Sequence, residues 1–272
     1  MTEEDAVRAT QGMPATVQSI QDDLTALGVT PGMVLLVHSS LSSLGWVCGG
    51  PVAVVMALEA ALGPEGTLVM PTHSGDLSDP SYWKNPPVPE TWWEVIRQTM
   101  PAYDARMTPT RGVGAIPECF RNQVGTLRSS HPSDSFAARG PHAETIVGEH
   151  TLDFSMGDGS PLARIYDLDG WILLMGADFR CATSLHLGEY RADYPRKRQV
   201  MRGAPALLTG RREWVEFRDF DWDDSDFGAI GTSFVDRTGA VRSGRVANGA
   251  AQLMPQRMLV DYAVKWMEEN RR

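Results

Sequence analysis

Val17, Ile20, Leu24 and Leu27 recur at spacings of three, four and three, which predicts one apolar face of a helix closed by Gly28. The pattern changes after the turn Thr30-Pro31-Gly32. The segment MVLLVHSS opens on a continuous apolar run, the pattern of a strand buried on both faces, and it ends in His38-Ser39-Ser40. Beyond LSSLGWVCGG a second helix is predicted. Pro51 suits its first turn, Val54, Val55, Leu58, Ala61 and Leu62 form its stripe, and Gly63 ends it. GTLVMPTHS at 66–74 and WILLMGA at 171–177 read as further strands. The order helix, strand, helix, strand implies parallel strands with helices packed on the sheet faces.

Residues 75–110 break this rhythm. Six prolines and the aromatics Tyr82, Trp83, Trp92, Trp93 and Tyr103 predict an ordered loop with a short helix near 91–98. In 211–240, WVEFRDFDWDDSDF alternates like an antiparallel strand running into an acidic turn, and LMPQRMLVDYAVKWMEENRR closes the chain as a helix. The expected architecture is one α/β domain over 1–272. Its central sheet is mainly parallel, flanked by helices and extended by antiparallel strands, with 75–110 as an insertion.

Composition narrows the function classes. A net charge of −9 argues against a nucleic-acid-binding module, which would show a basic face. It suits a cationic small molecule, because an acidic cleft concentrates cations, although solubility alone also explains it. There is no apolar run of about 18 residues, so no membrane span is expected. The acidic N-terminus lacks a signal core, and three cysteines without metal-like spacing fit reduced thiols in a cytoplasmic protein. No HxxxH or CxxC pair is present, so no metal site is expected.

In open α/β sheets, ligands bind beyond the carboxyl ends of the strands. There the chain places His38-Ser39-Ser40, then Thr72-His73-Ser74-Gly75-Asp76, and after the strand at 171–177 the stretch TSLHLGEY. Thr183 or Ser184 can cap a helix, which puts His186 in its first turn. Glu189, three residues on, shares that helix face and can accept from one ring nitrogen, freeing the other to take a proton. The alternative is a structural histidine beside a surface glutamate. The Ser/Gly-rich stretch before the second helix can present backbone N–H groups to a phosphate, or be a plain connection. His38 and His73 are core or supporting candidates, His131 braces a turn before Pro132, and His142 and His150 read as surface residues. Asp219, Asp221 and Asp223 share a face if extended, making either a solvated surface or a wall for a polyamine. A Ser-His-Asp hydrolase lacks its GxSxG elbow here. A non-catalytic cation-binding protein has no use for His186 beside Glu189.

The strings LLVHSSLSSLGWVCGG, LGPEGTLVMPTHS, PTRGVG, RSSHPSDSFAARG, SPLARIYDLDG and TSLHLGEY together resemble the aminoglycoside 3-N-acetyltransferase family, from about residue 15 to the C-terminal helix. The resemblance implies acetyl transfer from acetyl-CoA to the 3-amino group of the 2-deoxystreptamine ring of an aminoglycoside, and hence antibiotic resistance. It implies His186 as general base with Glu189 beside it. It implies contacts to CoA from Ser39, Ser40, Leu41, Ser42 and Ser43, from Arg111 and Gly112, and from Ser130 and His131. It sets His73, Asp76, Glu189, Asp219 and Asp221 on the aminoglycoside side. The expected partners are CoA and the aminoglycoside, with the chain a monomer or homodimer. Other members of the fold act on other amines, so an acyltransferase for a non-antibiotic amine is the alternative.

Overall fold

The run Val34–Ser39 (β1) is buried through five of its six residues, and this strand forms the middle of the sheet. The computed structural model describes residues 3–10 and 12–272. The other strands are β2 (Thr67–Pro71), β3 (Leu127–Arg128), β4 (Phe136–Arg139), β5 (Trp171–Met175), β6 (Gln199–Leu208), β7 (Arg211–Phe220), β8 (Arg242–Val246) and β9 (Gly249–Pro255). The helices are α1 (Glu3–Ala9), α2 (Val17–Leu27), α3 (Gly50–Leu62), α4 (Trp93–Thr99), α5 (Ala115–Arg121), α6 (Ala143–Val147), α7 (Pro161–Asp167), α8 (Ser184–Arg191), α9 (Phe227–Thr238) and α10 (Gln256–Asn270).

Seven strands form one sheet in the order β3-β4-β2-β1-β5-β9-β8. β1 runs parallel to β2, with Val34 opposite Thr67, and parallel to β5, with Leu35 opposite Trp171. Antiparallel strands extend this parallel centre on both sides, and β6 and β7 form a separate hairpin. The fold class expected from the sequence is thus observed.

Alternation along the central strands divides the core. Leu35, Val37, Leu68, Met70 and Leu173 pack with Ile20, Leu24, Val54, Leu58 and Phe120 from α2, α3 and α5. Leu36 and Val69 face the other way, onto Ile146, Leu162 and Leu187 from α6, α7 and α8. Ile172, Leu174 and Met254 continue that second face under Leu185, Phe227, Phe234 and Leu259. Truncating a fully buried core leucine such as Leu36 to alanine costs about 2–5 kcal/mol.

α2 starts with a capping box between Thr16 and Ser19 and ends at Gly28, whose φ of 106° is left-handed. That φ favours glycine at the stop, and a Cβ there would also displace the end of the Arg242 side chain. α3 ends at Gly63, and α4 falls within the loop at 75–110. Three boundaries differ from the sequence reading. β2 and β5 stop at Pro71 and Met175, short of Ser74 and Ala177. The C-terminal helix begins only at Gln256, since Leu253 and Met254 pair with β8 and β5 in β9. The acidic turn leads into α9, whose Phe227, Ile230 and Phe234 are buried at helical spacing. Among the described residues, no helix is long and apolar enough to cross a membrane.

Candidate active site

The parallel strands β2, β1 and β5 all end at one edge of the sheet, and a cleft of about 820 Å³ opens there. His38, Ser39, Ser40, Leu41 and Ser42 line it from the end of β1, and Pro71 and His73 from the end of β2. Gly176, Ala177, Cys181 and Thr183 line it beyond β5, with Gly112, Val113 and Gly114 from a loop opposite. The serine loop is a single turn of 3-10 helix, Leu41–Leu44. Ser43 braces it by donating to Ser40 Oγ at 2.9 Å. A Cβ at Gly176 would lie 2.6 Å from Ser43 Cβ and 3.1 Å from Ser40 O, so only glycine lets β5 end beside this loop. Gly112 has open space where a Cβ would stand, as does Gly50 at the start of α3, which also lines the cleft. Backbone can therefore approach a ligand closely at both.

α8 carries the central pair. Leu185 and Leu187 are buried, and Gly188 allows α10 to approach so closely that a Cβ would meet Ala263 Cβ at 2.9 Å. This packing fixes the helix about its axis. His186 then lies beside the rings of Trp222 (5.0 Å) and Phe227 (4.8 Å), with its side chain 12% exposed. Its Nδ1 is 3.0 Å from Glu189 Oε2. The expected Thr183 cap is not formed. The Thr183 hydroxyl instead lies 3.4 Å from His38 Nε2, linking α8 to the end of β1.

Glu189 is fully buried, and its Oε1 accepts from Arg271 Nη1 (2.6 Å), the Asp223 backbone N–H (2.9 Å) and the Tyr194 hydroxyl (3.2 Å). Burial pushes this carboxyl up. The hydrogen bonds from His186, Asp223 and Arg271, with the attraction of the imidazole, outweigh burial and hold it below the usual carboxylate range. An ionised carboxylate only accepts, so His186 Nδ1 carries a proton, and in the uncharged ring the lone pair is then on Nε2. Trp222, Phe227 and Arg271 were not found from the sequence, because they reach the dyad from distant elements with no local motif; Tyr194, five residues past Glu189, lies beyond the end of α8, where helical spacing no longer applies.

The remaining sequence candidates divide. The Arg111 backbone N–H donates to His73 O at 2.8 Å, while its side chain pairs with Asp76 at 2.7 Å, both exposed. Ser130 is exposed in the turn after β3. His131 is a correction, because its side chain is fully buried. It receives the N–H groups of Ser133 and Asp134, contacts Leu152 O and packs on His150 and Phe217, so it braces the turn, as read from the sequence, and does not line the cleft. His150, read as a surface residue, is also buried, between Ser129 Oγ and Ser155 O.

The acid wall is corrected as well. Asp219 is buried, accepting from the Tyr190 and Ser155 hydroxyls, and burial raises its pKa. Asp221 lies past the end of β7, exposed and paired with Arg198 at 2.5 Å. The two do not form one face. Asp219 serves the site indirectly, since Tyr190 also receives the Trp222 indole N–H at 2.6 Å, and Trp222 packs on His186.

Burial lowers the pKa of the strand-end imidazoles. His38 is pushed down to about 3 by burial and by neighbouring His73. His73 is pushed down to about 4 by burial, which outweighs the pull of Asp134, and His186 adds to the lowering. Both are neutral at neutral pH. Among the described residues, no group of three or more His, Cys, Asp or Glu side chains could hold a metal ion.

A model of the family described as aminoglycoside 3-N-acetyltransferase matches residues 36–268. The aminoglycoside N(3')-acetyltransferase-like protein YokD, from the SPbeta prophage of Bacillus subtilis, is 45% identical over 94% of both chains. Its crystal structure superposes with a TM-score of 0.95 at 44% identity, covering 98% of both chains. Aminoglycoside N(3)-acetyltransferase VIII of Streptomyces fradiae is 36% identical, covering 94% of this chain and 93% of that one. The structure of AAC-IIIb in binary complex with CoASH has a TM-score of 0.83 at 31% identity, covering 94% of this chain and 97% of that one.

Proposed function

Because the chain belongs to the aminoglycoside 3-N-acetyltransferase family, we propose that it transfers acetyl from acetyl-CoA to the 3-amino group of the 2-deoxystreptamine ring of aminoglycosides, and so confers resistance. One observation carries this reading: His186 and Glu189 form an oriented dyad, joined through Thr183 and His38 to a cleft at the strand ends.

The cleft residues fit CoA. Gly112 and Gly50 leave room for backbone approach, and the Ser39 hydroxyl lies buried in the cleft without a partner. Ser39–Ser42 and Gly112 hold the CoA arm. When bound, acetyl-CoA supplies the acetyl group as an activated thioester. His186 Nε2 takes the proton that the amine must lose before it attacks, directly or through a water. Glu189 fixes the tautomer and stabilises the imidazolium that forms. No serine or cysteine needs to act as a nucleophile. One domain carries the reaction, and the three free cysteines are compatible with a reducing cytoplasm.

A second reading, an acyl-CoA-dependent N-acyltransferase for a different amine, is favoured by the acidic residues. Asp219 is buried and Asp221 is paired, so neither is free to hold a polycation. Incubation with acetyl-CoA and a panel of aminoglycosides and simple amines, following free thiol, decides between them. Thiol release with 2-deoxystreptamine drugs, and a product acetylated at the 3-amino group, supports the first reading. Release only with other amines supports the second.

A further inference from the structure

Among the described residues, His73 is the histidine whose two ring nitrogens are both buried and lack a hydrogen-bond partner. His131 and His150 each have partners on both ring nitrogens, and His38 Nε2 faces the Thr183 hydroxyl. Both nitrogens of His73 are buried and unpartnered, although the ring lines the cleft. An unsatisfied buried polar group is costly, so an orphan on a residue that lines a binding cleft points to a partner supplied by the ligand.

The ring is held in place. Phe136 meets it edge-on at 5.2 Å, and the Arg111 N–H fixes the His73 carbonyl. Its neighbours set its direction. Leu36 and Val69 face the side of the sheet that carries α8, counting in twos along β1 sends His38 the same way, and Phe136, the ring that His73 meets, belongs to that same side. His73 and Thr183 both line the cleft, and Thr183 O accepts the His186 N–H, so the wall that holds His73 runs on to the helix that carries the dyad. Ser39 Oγ, the other unpartnered group in the cleft, follows Val37 onto the opposite face.

We propose that His73 donates a ring N–H hydrogen bond to the acetyl carbonyl oxygen of acetyl-CoA and stabilises the negative charge that this oxygen gains during transfer. This rests on the acetyl transfer proposed above. In that reaction the amine nitrogen bonds to the acetyl carbon and the carbon–sulfur bond breaks. The amine proton passes to His186 and then to the departing CoA sulfur, and His73 keeps its own proton throughout. The surroundings of His73 suit a donor and not a second base. Burial, with His38, His131, His150 and His186 nearby, outweighs the pull of Asp134, keeps the ring uncharged and makes it a poor proton acceptor. An uncharged imidazole can still polarise a carbonyl through its N–H, as in triosephosphate isomerase.

The test combines isotope-edited infrared spectroscopy of bound acetyl-CoA, labelled with carbon-13 at the carbonyl, with steady-state kinetics. The proteins are wild type, His73→Ala, His73→Gln and His186→Ala. In wild type and His186→Ala the carbonyl band should move to lower wavenumber on binding, and in His73→Ala it should not. Turnover of His73→Ala should fall by about 10²–10³, the usual effect of losing one oxyanion donor, with both Michaelis constants little changed. His73→Gln keeps an N–H and should recover part of the rate, and it serves in place of His73→Ala if that variant does not fold. Normal transfer with an unshifted wild-type band overturns the assignment of His73 and leaves the reaction standing. So does a loss confined to the Michaelis constant of the amine. A shifted band without transfer to any amine supports the His73 contact and overturns the proposed reaction instead.

Discussion

Arg271 Nη1 donates to Glu189 Oε1 at 2.6 Å, so the carboxylate that orients His186 is itself held by a residue beyond the end of α10. The Arg271 side chain is 7% exposed and the Glu189 side chain is fully buried. The guanidinium also bonds Asp226 at 2.6 Å and Asp223 O at 2.5 Å, tying α10 to the loop before α9. The charge on Glu189 is therefore balanced by Arg271 even when His186 is neutral.

Arg271→Met removes one partner of a buried pair. Unfolding in denaturant should show a loss of about 3–5 kcal/mol, and turnover should fall as Glu189 loses its fixed charge state. A variant with wild-type stability and turnover would show that the pair contributes neither.

Asp219→Ala leaves the hydroxyls of Tyr190 and Ser155 without their acceptor. The expected cost is about 1–3 kcal/mol for each group left unpaired. Tyr190 then holds the Trp222 indole less firmly, and turnover should fall with it. Thermal unfolding and kinetics check this. A rise confined to the aminoglycoside Michaelis constant, with stability unchanged, would restore the direct substrate role that the buried geometry contradicts.

Stability should fall on mild acidification. Burial holds His38 and His150 at about 3, and His73 and His131 at about 4, against an ordinary value of 6.5. Between pH 6.5 and pH 4 the unfolded chain thus binds more protons than the folded one, and the free energy of unfolding decreases as pH drops through this window. Denaturant unfolding at a series of pH values measures it. A flat profile from pH 6.5 to pH 4 would contradict the neutral burial of these rings.

The parallel centre of the sheet was legible because its signals are local. The run at β1, the stripes of α2 and α3, and the stops at Gly28 and Gly63 each lie within a few residues of one another. The spacing of His186 and Glu189 was legible for the same reason, since three residues on a helix bring two side chains together. Arg271 could not be found this way, because it meets Glu189 only through the packing of α10 on α8. The acidic run misled because alternation in a strand does not say which face is buried, and β7 ends before Asp221. His150 was read as a surface histidine, yet it packs against His131, whose ring also meets Phe217.

Saturating acetyl-CoA should slow hydrogen exchange at residues 39–43, where the serine loop lines the cleft and Ser40 N–H donates to Met175 O. Mass spectrometry of the peptide spanning this loop reads the effect directly. Unchanged exchange there, with protection elsewhere, would move the CoA site.

The central claim is that His186 takes the amine proton. Steady-state kinetics on His186→Ala tests it most directly, with circular dichroism to confirm folding and calorimetry to confirm that acetyl-CoA still binds. Turnover should drop by about two to four orders of magnitude, the usual contribution of a positioned general base, while acetyl-CoA affinity stays near that of wild type. Glu189→Gln should lower turnover less, because it removes orientation and charge but leaves the base. A folded, CoA-binding His186→Ala protein that turns over at close to the wild-type rate would contradict the account.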